Sequence, residues 1–465
     1  MERNKKTETL SEIVRVVKLL SLQSIKNYDW NLFTQRLFGT SIIGTIKNSY
    51  FVELMSGVPN DYVLKCKDSF CQKCALQKWC VYWKDKVQNE TDPKAPKYVD
   101  LFCGAGGLSL GFEQESYVLS LANDIDDSCI ETYAFNHFDT PEKHIIKGDI
   151  NKVLSRIDEA MRFDKNDIVI GGPPCQGFSM ANRQRIIDDP RNHLYKSFIA
   201  AVKIINPKFV LMENVRGMLG VQDQIKEDLK TIGFDVEAKI LNARDFGVPQ
   251  NRERVIFIGN RIGIDNAKVF QDIMQLAEST NEVVLSDALY GLPELKAKTI
   301  PHNTSIEGEE TGYTIASNSH LTNNYLSLIN DNRDIPLLFN HKARYNNERD
   351  IKIFDLLKPG EDSTTDRIQE IMPYKRRAGI FKDKYYKLDE TKICKTITAH
   401  MKYDCNMYIH PTQARGLTPR EAARIQSYPD DYLFRGPYTK TYMQVGNSVP
   451  PLMGRYIARV IKKYL

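Results

Sequence analysis

Short apolar runs, separated by segments with helical spacing, dominate the middle of the chain. Five of these runs lie at residues 98–102, 118–122, 167–170, 209–212 and 255–258. Strands that alternate with helices predict a parallel sheet covered by helices on both faces. We therefore expect an α/β domain with a Rossmann-like sheet over residues 97–262.

The rest of the chain follows other patterns and indicates further domains. Residues 10–22 have helical apolar spacing within a first block, residues 1–95, which ends in a Pro-containing linker at residues 91–96. Residues 263–410 are less regular and rich in Asn, Asp, Lys and Tyr, and residues 451–465 have the pattern of an amphipathic helix. A chain of 465 residues is long enough for two or three domains.

Composition narrows the class of protein. Hydrophobic residues make up 42% of the chain, which allows a sizeable core. The sequence has no run of about 18 apolar residues, the length that would predict a membrane span, and its N-terminus lacks an apolar signal region. We expect a soluble, cytoplasmic protein without membrane contact. The formal net charge of +5 permits a polyanionic partner without identifying one.

The most informative motif is Gly-Gly-Pro-Pro-Cys-Gln-Gly-Phe-Ser at residues 171–179, directly after an apolar run. Each proline restricts its own backbone and that of the residue before it, and glycines let a ligand approach the chain closely. At the end of a strand, the thiol of Cys175 is placed to act as a nucleophile. The alternative is a buried structural cysteine in a tight turn, the usual fate of a free cysteine.

Polar sites follow the first three strands in order. Gly104, Gly106 and Gly107 form a glycine-rich turn, Asp124 ends the second strand, and Asp149 follows the third. Such a turn brings backbone N–H groups to a ligand, and an acid at the second position is placed to bind ribose hydroxyls. Each acid taken alone is as compatible with a helix cap or a solvated turn. Because no Lys-containing phosphate loop occurs in the sequence, we favour a nucleoside cofactor without a phosphate chain, and S-adenosylmethionine fits.

Four further motifs establish a resemblance. They are Glu-Asn-Val at 213–215, Gln-Asn-Arg-Glu-Arg at 250–254, Arg-Glu-Ala-Ala-Arg-Ile-Gln at 420–426 and Gln-Val-Gly-Asn-Ser-Val-Pro-Pro at 444–451. With the Pro-Pro-Cys motif, they make the chain resemble the bacterial cytosine-5 DNA methyltransferases over residues 97–262 and 390–465. The resemblance implies an S-adenosylmethionine-dependent methyltransferase fold. It also implies a smaller target-recognition domain at residues 263–440 and a return to the catalytic domain at residues 441–465.

The resemblance assigns the catalytic residues. Cys175 is the thiol that adds to carbon 6 of cytosine and makes carbon 5 reactive toward a methyl group. Glu213, kept protonated by burial, protonates N3 of the ring or donates a strong hydrogen bond to it, and Arg254 binds the carbonyl oxygen of the base. Arg252 is expected to support the active-site loop, and the target base must be flipped out of the duplex. In isolation, a helix cap for Glu213 and a surface ion pair for Arg254 are the better interpretations.

The same resemblance assigns a cofactor set. The glycine turn contacts the amino-acid portion of S-adenosylmethionine, Asp124 binds the ribose, and Ile125 packs on the adenine, although the family often has a bulkier side chain there. Asp149 and Ile150 meet the edge of the adenine, and the 447–448 segment returns to the pocket from the C-terminus. The expected cofactor-binding residues are Phe102, Gly104, Gly106, Gly107, Asp124, Ile125, Asp149, Ile150, Pro173, Asn447 and Ser448.

Basic and aromatic residues are interleaved where the family recognises DNA. Residues 180–195 match a loop that closes over the flipped base, and its polar and basic side chains suit phosphate contacts. Residues 374–377 and 381–387 alternate Tyr or Phe with Lys and Arg, which neutralise phosphates or read guanine, and residues 395–400 resemble the end of this region. A solvated loop or a charged surface has the same composition, and the recognised bases do not follow from it.

Four cysteines lie outside the methyltransferase resemblance, namely Cys66, Cys71, Cys74 and Cys80. In a large intracellular chain, such crowding predicts a metal rather than disulfides. Apart from a shorter first gap, their spacing and the Lys-Trp-Cys ending resemble the iron–sulfur loop of helix-hairpin-helix DNA glycosylases, without that family's catalytic pair. The alternatives are a 4Fe-4S iron–sulfur cluster, zinc, or unliganded thiols. We expect a mainly helical metal-binding module at residues 1–95. Packing roles are expected for the remaining thiols of Cys103, Cys129, Cys394 and Cys405.

The sequence therefore predicts an enzyme that methylates carbon 5 of cytosine in double-stranded DNA, in the cytoplasm at the nucleoid. A tRNA cytosine-5 methyltransferase and a non-catalytic DNA-binding relative are the alternatives. The long recognition region and the N-terminal module favour DNA, and the intact Cys175, Glu213 and Arg254 favour catalysis. A restriction–modification setting with a cognate restriction endonuclease is suggested by association with similar enzymes rather than by any residue.

Overall fold

The structure of the chain is a computed structural model. It describes residues 92, 94–137, 140, 144–161, 165–174, 194–301, 307–319, 321–333, 335, 337–373 and 384–465. The strands and helices of its first half are β1 (Lys97–Leu101), α1 (Gly107–Gln114), β2 (Val118–Asp124), α2 (Asp127–Asn136), β3 (Ile145–Lys147), α3 (Ile150–Met161), β4 (Ile168–Gly171), α4 (Leu194–Ile205), β5 (Phe209–Asn214), α5 (Gln222–Lys230), β6 (Asp235–Asn242), β7 (Gln250–Asn251) and β8 (Glu253–Asn260). Those of its second half are α6 (Asn266–Ala277), α7 (Leu285–Leu289), β9 (Gly312–Ser317), α8 (Asn324–Ile329), β10 (Leu337–Lys342), α9 (Glu348–Leu356), β11 (Cys394–Lys395), α10 (Pro419–Ile425), α11 (Tyr438–Asn447) and α12 (Pro451–Lys462).

A seven-stranded sheet forms the centre of the first half, in the order β3-β2-β1-β4-β5-β8-β6. The pairs among β1 to β5 are parallel, whereas β8 runs antiparallel to both β5 and β6. The expected α/β class is confirmed, but the sheet is not parallel throughout. β6 was not predicted from the sequence, because this edge strand alternates apolar with charged residues and contains no long apolar run.

The core lies on both faces of this sheet because successive strand residues point to opposite sides. In β1, Val99 and Leu101 pack with the apolar face of α3, which presents Ile157. Tyr98, the residue before Val99, packs on the other face with residues of α1, α6 and α12, among them Phe112. Helices therefore cover both faces, as the alternating pattern predicted.

The C-terminal helix α12 packs directly on α1, although more than 300 residues separate them in sequence. The hydroxyl of Tyr117 donates a hydrogen bond of 3.0 Å to the carbonyl oxygen of Ala458. A Cβ on Gly111 would lie 2.4 Å from the backbone N of Arg455, so glycine is required for the close approach of the two helices. The C-terminus thus lies against the first half of the sheet, while the exact domain boundaries stay a prediction.

Residues after the sheet form a smaller unit built around the antiparallel pair β9–β10. Its main core cluster includes Leu326, Ile397 and Tyr428, and it also contains Ala105 from the glycine turn. The smaller unit therefore packs against the edge of the large sheet where that turn lies. None of the described helices is both long enough and apolar enough to cross a membrane.

Candidate active site

Most of the site residues expected from the sequence follow the carboxyl ends of the parallel strands. These ends meet at one edge of a sheet, the usual position of a ligand crevice in an open α/β fold. β8 begins at the same edge, because Val255 pairs with Asn214 at the end of β5. One edge therefore collects the glycine turn, the strand-end acids and the arginines at 252 and 254.

The glycine turn between β1 and α1 has a packed back and an open front. Phe102, Gly104 and Gly106 have positive φ values of 58°, 53° and 77°. A Cβ on Gly106 would lie 2.7 Å from the hydroxyl of Tyr432 and 2.9 Å from Nε2 of His137, whereas one on Gly104 would meet no described atom within 4 Å. The front of the turn is thus a cradle that a ligand can approach closely.

Asp124 holds this turn in place. Its Oδ2 accepts a hydrogen bond of 2.8 Å from the backbone N of Gly104, and its Oδ1 accepts one of 2.8 Å from the backbone N of Asp126. Burial raises the pKa of Asp124, and these N–H donors act in the opposite direction. The neighbouring side chain of Ile125 is 66% exposed. The edge therefore combines an oriented carboxyl group with an apolar surface on which a flat ring could lie.

The other residues expected to bind a cofactor differ in how they face this edge. Asp149 accepts a hydrogen bond of 3.0 Å from a backbone N–H in the first turn of α3. Ile150 is only 2% exposed, so its side chain belongs to the core rather than to a ligand surface. A Cβ on Gly107 would lie 2.1 Å from Oγ of Ser448, which places the C-terminal return against the glycine turn. Asn447, the preceding residue, is exposed.

The Pro-Pro turn after β4 is fixed by β5. Nδ2 of Asn214 donates a hydrogen bond of 2.7 Å to the carbonyl oxygen of Pro173. A Cβ on Gly172 would lie 3.0 Å from Oε2 of Glu213, so the carboxyl group rests against the turn. Cys175 lies outside the described residues.

Glu213 and Arg254 form an ion pair at this turn. The Nε of Arg254 lies 2.8 Å from Oε1 of Glu213, and the two side chains are 15% and 10% exposed. Burial raises the pKa of the Glu213 carboxyl, while the guanidinium groups of Arg254 and Arg252 oppose that rise. A nearly buried acid with a raised pKa is suited to donate a proton or a hydrogen bond, and the adjacent cation is suited to hold an anionic oxygen.

Arg252 and Gln250 connect the start of β8 to distant parts of the chain. The fully buried guanidinium of Arg252 donates to the carbonyl oxygens of Ile397 (2.7 Å), Gly446 (3.0 Å) and Ser448 (2.8 Å). Oε1 of Gln250 accepts a hydrogen bond of 2.8 Å from the backbone N of Ile397. The described hydrogen-bond partners of the Arg252 guanidinium are thus backbone carbonyl groups of the recognition region and the C-terminal return.

Besides Cys175, three further parts of the expected machinery lie outside the described residues. They are most of the loop at 180–195, the basic and aromatic residues at 374–383, and the four N-terminal cysteines. Within the part of the chain that the structure describes, no group of three or more His, Cys, Asp or Glu could hold a metal ion. The remaining four cysteines are buried, as expected for packing residues: Cys103, Cys129, Cys394 and Cys405.

Asn214 and Asp100 are two residues of the site whose roles were not predicted from the sequence. Asn214 stood inside the Glu-Asn-Val motif, so its signal was present but unassigned. Asp100 is buried in β1, and its Oδ2 accepts a hydrogen bond of 2.5 Å from Oγ of Ser109, which lies 2.7 Å from the hydroxyl of Tyr133. Burial raises the pKa of Asp100 to about 8. The available signal was a carboxylate in the middle of an apolar run.

Comparison with known proteins gives concordant matches. A family model described as C-5 cytosine-specific DNA methylase matches residues 96–463. The type II methyltransferase M1.HphI of Haemophilus parahaemolyticus is 32% identical over 404 residues, covering 85% of this chain and 91% of that protein. M.DdeI of Desulfomicrobium norvegicum, also a type II methyltransferase, is 33% identical over 79% of this chain and 88% of its own. Among solved structures, a DNA modification methyltransferase encoded within an Escherichia coli prophage aligns with a TM-score of 0.62 and 25% identity, covering 79% of this chain and 99% of that chain.

Proposed function

The chain belongs to the C-5 cytosine-specific DNA methylase family and is a DNA (cytosine-5) methyltransferase, and we propose that Cys175, Glu213 and Arg254 carry its reaction. The family match and the type II methyltransferase relatives together favour DNA methylation over the tRNA-modifying and binding-only alternatives. We further propose double-stranded DNA as the substrate. A restriction–modification setting is supported by the names of the type II relatives, and a cognate restriction endonuclease would be the second partner.

The proposed reaction begins with the Cys175 thiolate, whose Sγ forms a bond to carbon 6 of a flipped cytosine. The electron pair of the carbon 5–carbon 6 double bond moves into the ring, where protonated Glu213 donates to N3. Carbon 5 then forms its bond to the methyl group as the bond between that methyl group and the sulfonium sulfur of the donor breaks, and the sulfur keeps the electron pair. N3 returns its proton to the Glu213 carboxylate, water accepts the carbon-5 proton, and departure of the Cys175 thiolate restores the double bond. S-adenosylmethionine, when bound, supplies the methyl group as an electrophile.

The observation that carries this proposal is the nearly buried Glu213–Arg254 ion pair against the Pro-Pro turn. N3 and the carbonyl oxygen are adjacent on cytosine, so an acid and a cation in contact match the two atoms that must be stabilised. A surface ion pair does not match the burial of Arg254. A helix cap does not match the position of Glu213 inside β5.

The described residues at the other end of the sheet edge fit S-adenosylmethionine. The open space in front of Gly104 would accept its amino-acid portion, the Asp124 carboxyl would accept hydrogen bonds from its ribose, and exposed Ile125 would face its adenine. Ser448 would close the pocket from the C-terminal side. The buried side chain of Ile150 adds nothing to this surface, so its expected contact would have to come from the backbone.

For the N-terminal module we propose a structural metal at Cys66, Cys71, Cys74 and Cys80, with an iron–sulfur cluster and zinc as the two alternatives. The support is the spacing of four thiols within fifteen residues. Elemental analysis of anaerobically purified protein separates iron with acid-labile sulfide from zinc. Protein that contains neither element would overturn the proposal.

The test of function is expression in a host without cytosine methylation, followed by bisulfite sequencing of its genome. We expect protected cytosines within one short sequence for the wild type and no protection for Cys175→Ser. For Glu213→Gln we expect a methylation rate at least about 100-fold lower than that of the wild type, with DNA binding retained.

A parallel assay with 5-fluorocytosine DNA should trap the wild type covalently and leave Cys175→Ser untrapped. Methylation by Cys175→Ser would overturn the nucleophile assignment.

A further inference from the structure

Residues 433–440 run along one face of α2, from its C-terminal end toward its N-terminal end. Nδ2 of Asn136 donates a hydrogen bond of 3.0 Å to the carbonyl oxygen of Leu433, and its Oδ1 accepts one of 3.2 Å from the backbone N of the same residue. One turn earlier in the helix, Oγ1 of Thr132 accepts a hydrogen bond of 2.8 Å from the backbone N of Arg435. We call this contact the α2 seam.

The α2 seam ends at the N-cap of the helix. Gly436, with φ 93°, approaches so closely that a Cβ there would lie 2.6 Å from Oγ of Ser128. The ammonium group of Lys440 then donates to Oδ2 of Asp126. The other oxygen of Asp126 caps the helix, accepting hydrogen bonds from the backbone N of Ser128 (2.9 Å) and of Cys129 (3.3 Å). Both oxygens of the capping carboxylate are therefore engaged.

The same N-cap residue orients Asp124, which lies at the part of the sheet edge proposed to bind S-adenosylmethionine, here called the cofactor edge. The backbone N of Asp126 donates a hydrogen bond of 2.8 Å to Oδ1 of Asp124, whose other oxygen is held by the glycine turn. The two carboxylates stand two residues apart, and the negative charge of Asp126 raises the pKa of Asp124. Lys440 neutralises that charge from the far side. The pair is half-buried, with side chains 39% and 23% exposed for Lys440 and Asp126.

We propose that Lys440 is a positioning residue for Asp124, acting through Asp126 across the junction between the recognition region and the cofactor edge. The inference rests on the proposed S-adenosylmethionine site. Without the ammonium group, the N-cap loses one of its partners and a second, uncompensated carboxylate stands beside Asp124. Both changes weaken the hydrogen bonds between the Asp124 carboxylate and the ribose hydroxyls. The turn at residues 124–126 is held less firmly, and the Asp124 carboxyl is ionised to a smaller extent.

The test compares three variants in direct titrations with S-adenosylmethionine, without DNA. Lys440→Met should raise the dissociation constant about three- to fivefold, the size expected for a partly exposed ion pair. Lys440→Arg should restore it. The matched control is Lys147→Met, which removes the exposed ion pair of Lys147 with Asp127 at the same end of α2. Asp127 makes no described bond to Asp124, so this control should bind as the wild type does.

Steady-state kinetics provide a second readout. Lys440→Met should raise KM for S-adenosylmethionine more than it lowers kcat, since the reacting groups lie elsewhere on the edge. An unchanged dissociation constant, or an equal loss in Lys147→Met, would overturn the positioning role. A wild-type protein that binds no S-adenosylmethionine would instead overturn the proposed cofactor site, so the two failures are distinguishable.

Discussion

The cofactor edge and the reacting edge, which is the part of the same sheet edge that carries Glu213 and Arg254, are held together by different kinds of contact. The cofactor edge uses backbone groups that are close in sequence: the N–H groups of Gly104 and Asp126 hold Asp124 within 25 residues of chain. The reacting edge uses side chains from separate strands, and Arg252 ties it to carbonyl groups up to 196 residues away. A site made of local backbone follows from a motif, whereas a site made of distant side chains depends on the whole fold.

Substitution of Arg252 is expected to remove the contacts that join the reacting edge to distant segments of the chain. Arg252→Met leaves the carbonyl oxygens of Ile397, Gly446 and Ser448 without their buried donor. We expect the free energy of unfolding to fall by about 3–5 kcal/mol and methylation to be lost. Urea unfolding monitored by circular dichroism measures the change.

Arg216→Met is the matched control for this prediction. It removes an arginine whose 2.8 Å ion pair with Glu253 is largely exposed, with side chains 60% and 43% exposed. Such a pair contributes less than about 1 kcal/mol. Equal destabilisation by the two variants would mean that the buried contacts of Arg252 contribute no more to stability than an exposed surface pair.

Asp100, which is buried behind the cofactor edge, is expected to make the free energy of unfolding depend on pH. Burial raises its pKa in the folded protein to about 8 from the ordinary 3.8. At a pH between these two pKa values the unfolded chain releases the proton and the folded chain keeps it. The contribution of protonated Asp100 to the free energy of unfolding is therefore fully present below pH 3.8 and is lost as the pH rises toward 8. We expect this group to contribute a fall of about 1.4 kcal/mol per pH unit. The measurement is the free energy of unfolding between pH 5 and pH 7 for wild type and Asp100→Asn.

Asp100→Asn keeps an oxygen that can accept from Ser109 and removes the titrating proton. The difference in stability between the two proteins should therefore change with pH, while other titrating groups cancel in the subtraction. A difference that stays constant from pH 5 to pH 7 would show that Asp100 is ionised in the folded protein. In that case the hydrogen bonds that link Asp100, Ser109 and Tyr133 would include a buried carboxylate charge.

The contrast between the two edges also explains what could be predicted from sequence. The glycine turn and Asp124 were predictable because their partners lie within the same βαβ unit. The roles of Glu213 and Arg254 came from the family resemblance, and their contact is seen only in the structure, since nothing local in either strand indicates the other. The partners of Arg252 and the ion pair of Lys440 with Asp126 were not predictable, because each joins segments more than 140 residues apart. Ile150 was assigned to the cofactor by the family resemblance, and its helical spacing with Val153 and Ile157 was the overlooked sign of burial.

A substitution at Ile125 is expected to add apolar surface to the cofactor edge alone, with a modest effect on affinity. Ile125 is 66% exposed beside Asp124, and an indole ring in its place offers a larger, flat face to the adenine. Aromatic stacking contributes about 0.5–1.5 kcal/mol beyond area burial, so Ile125→Trp should bind S-adenosylmethionine about two- to tenfold more tightly. Because the reacting edge is untouched, kcat should stay within about twofold of the wild type.

Ile262→Trp is the control, since Ile262 is 42% exposed and follows β8 at the opposite edge of the sheet. Equal affinities for wild type and Ile125→Trp would mean that the adenine does not lie on this side chain, and the placement of the cofactor along the edge would have to be revised.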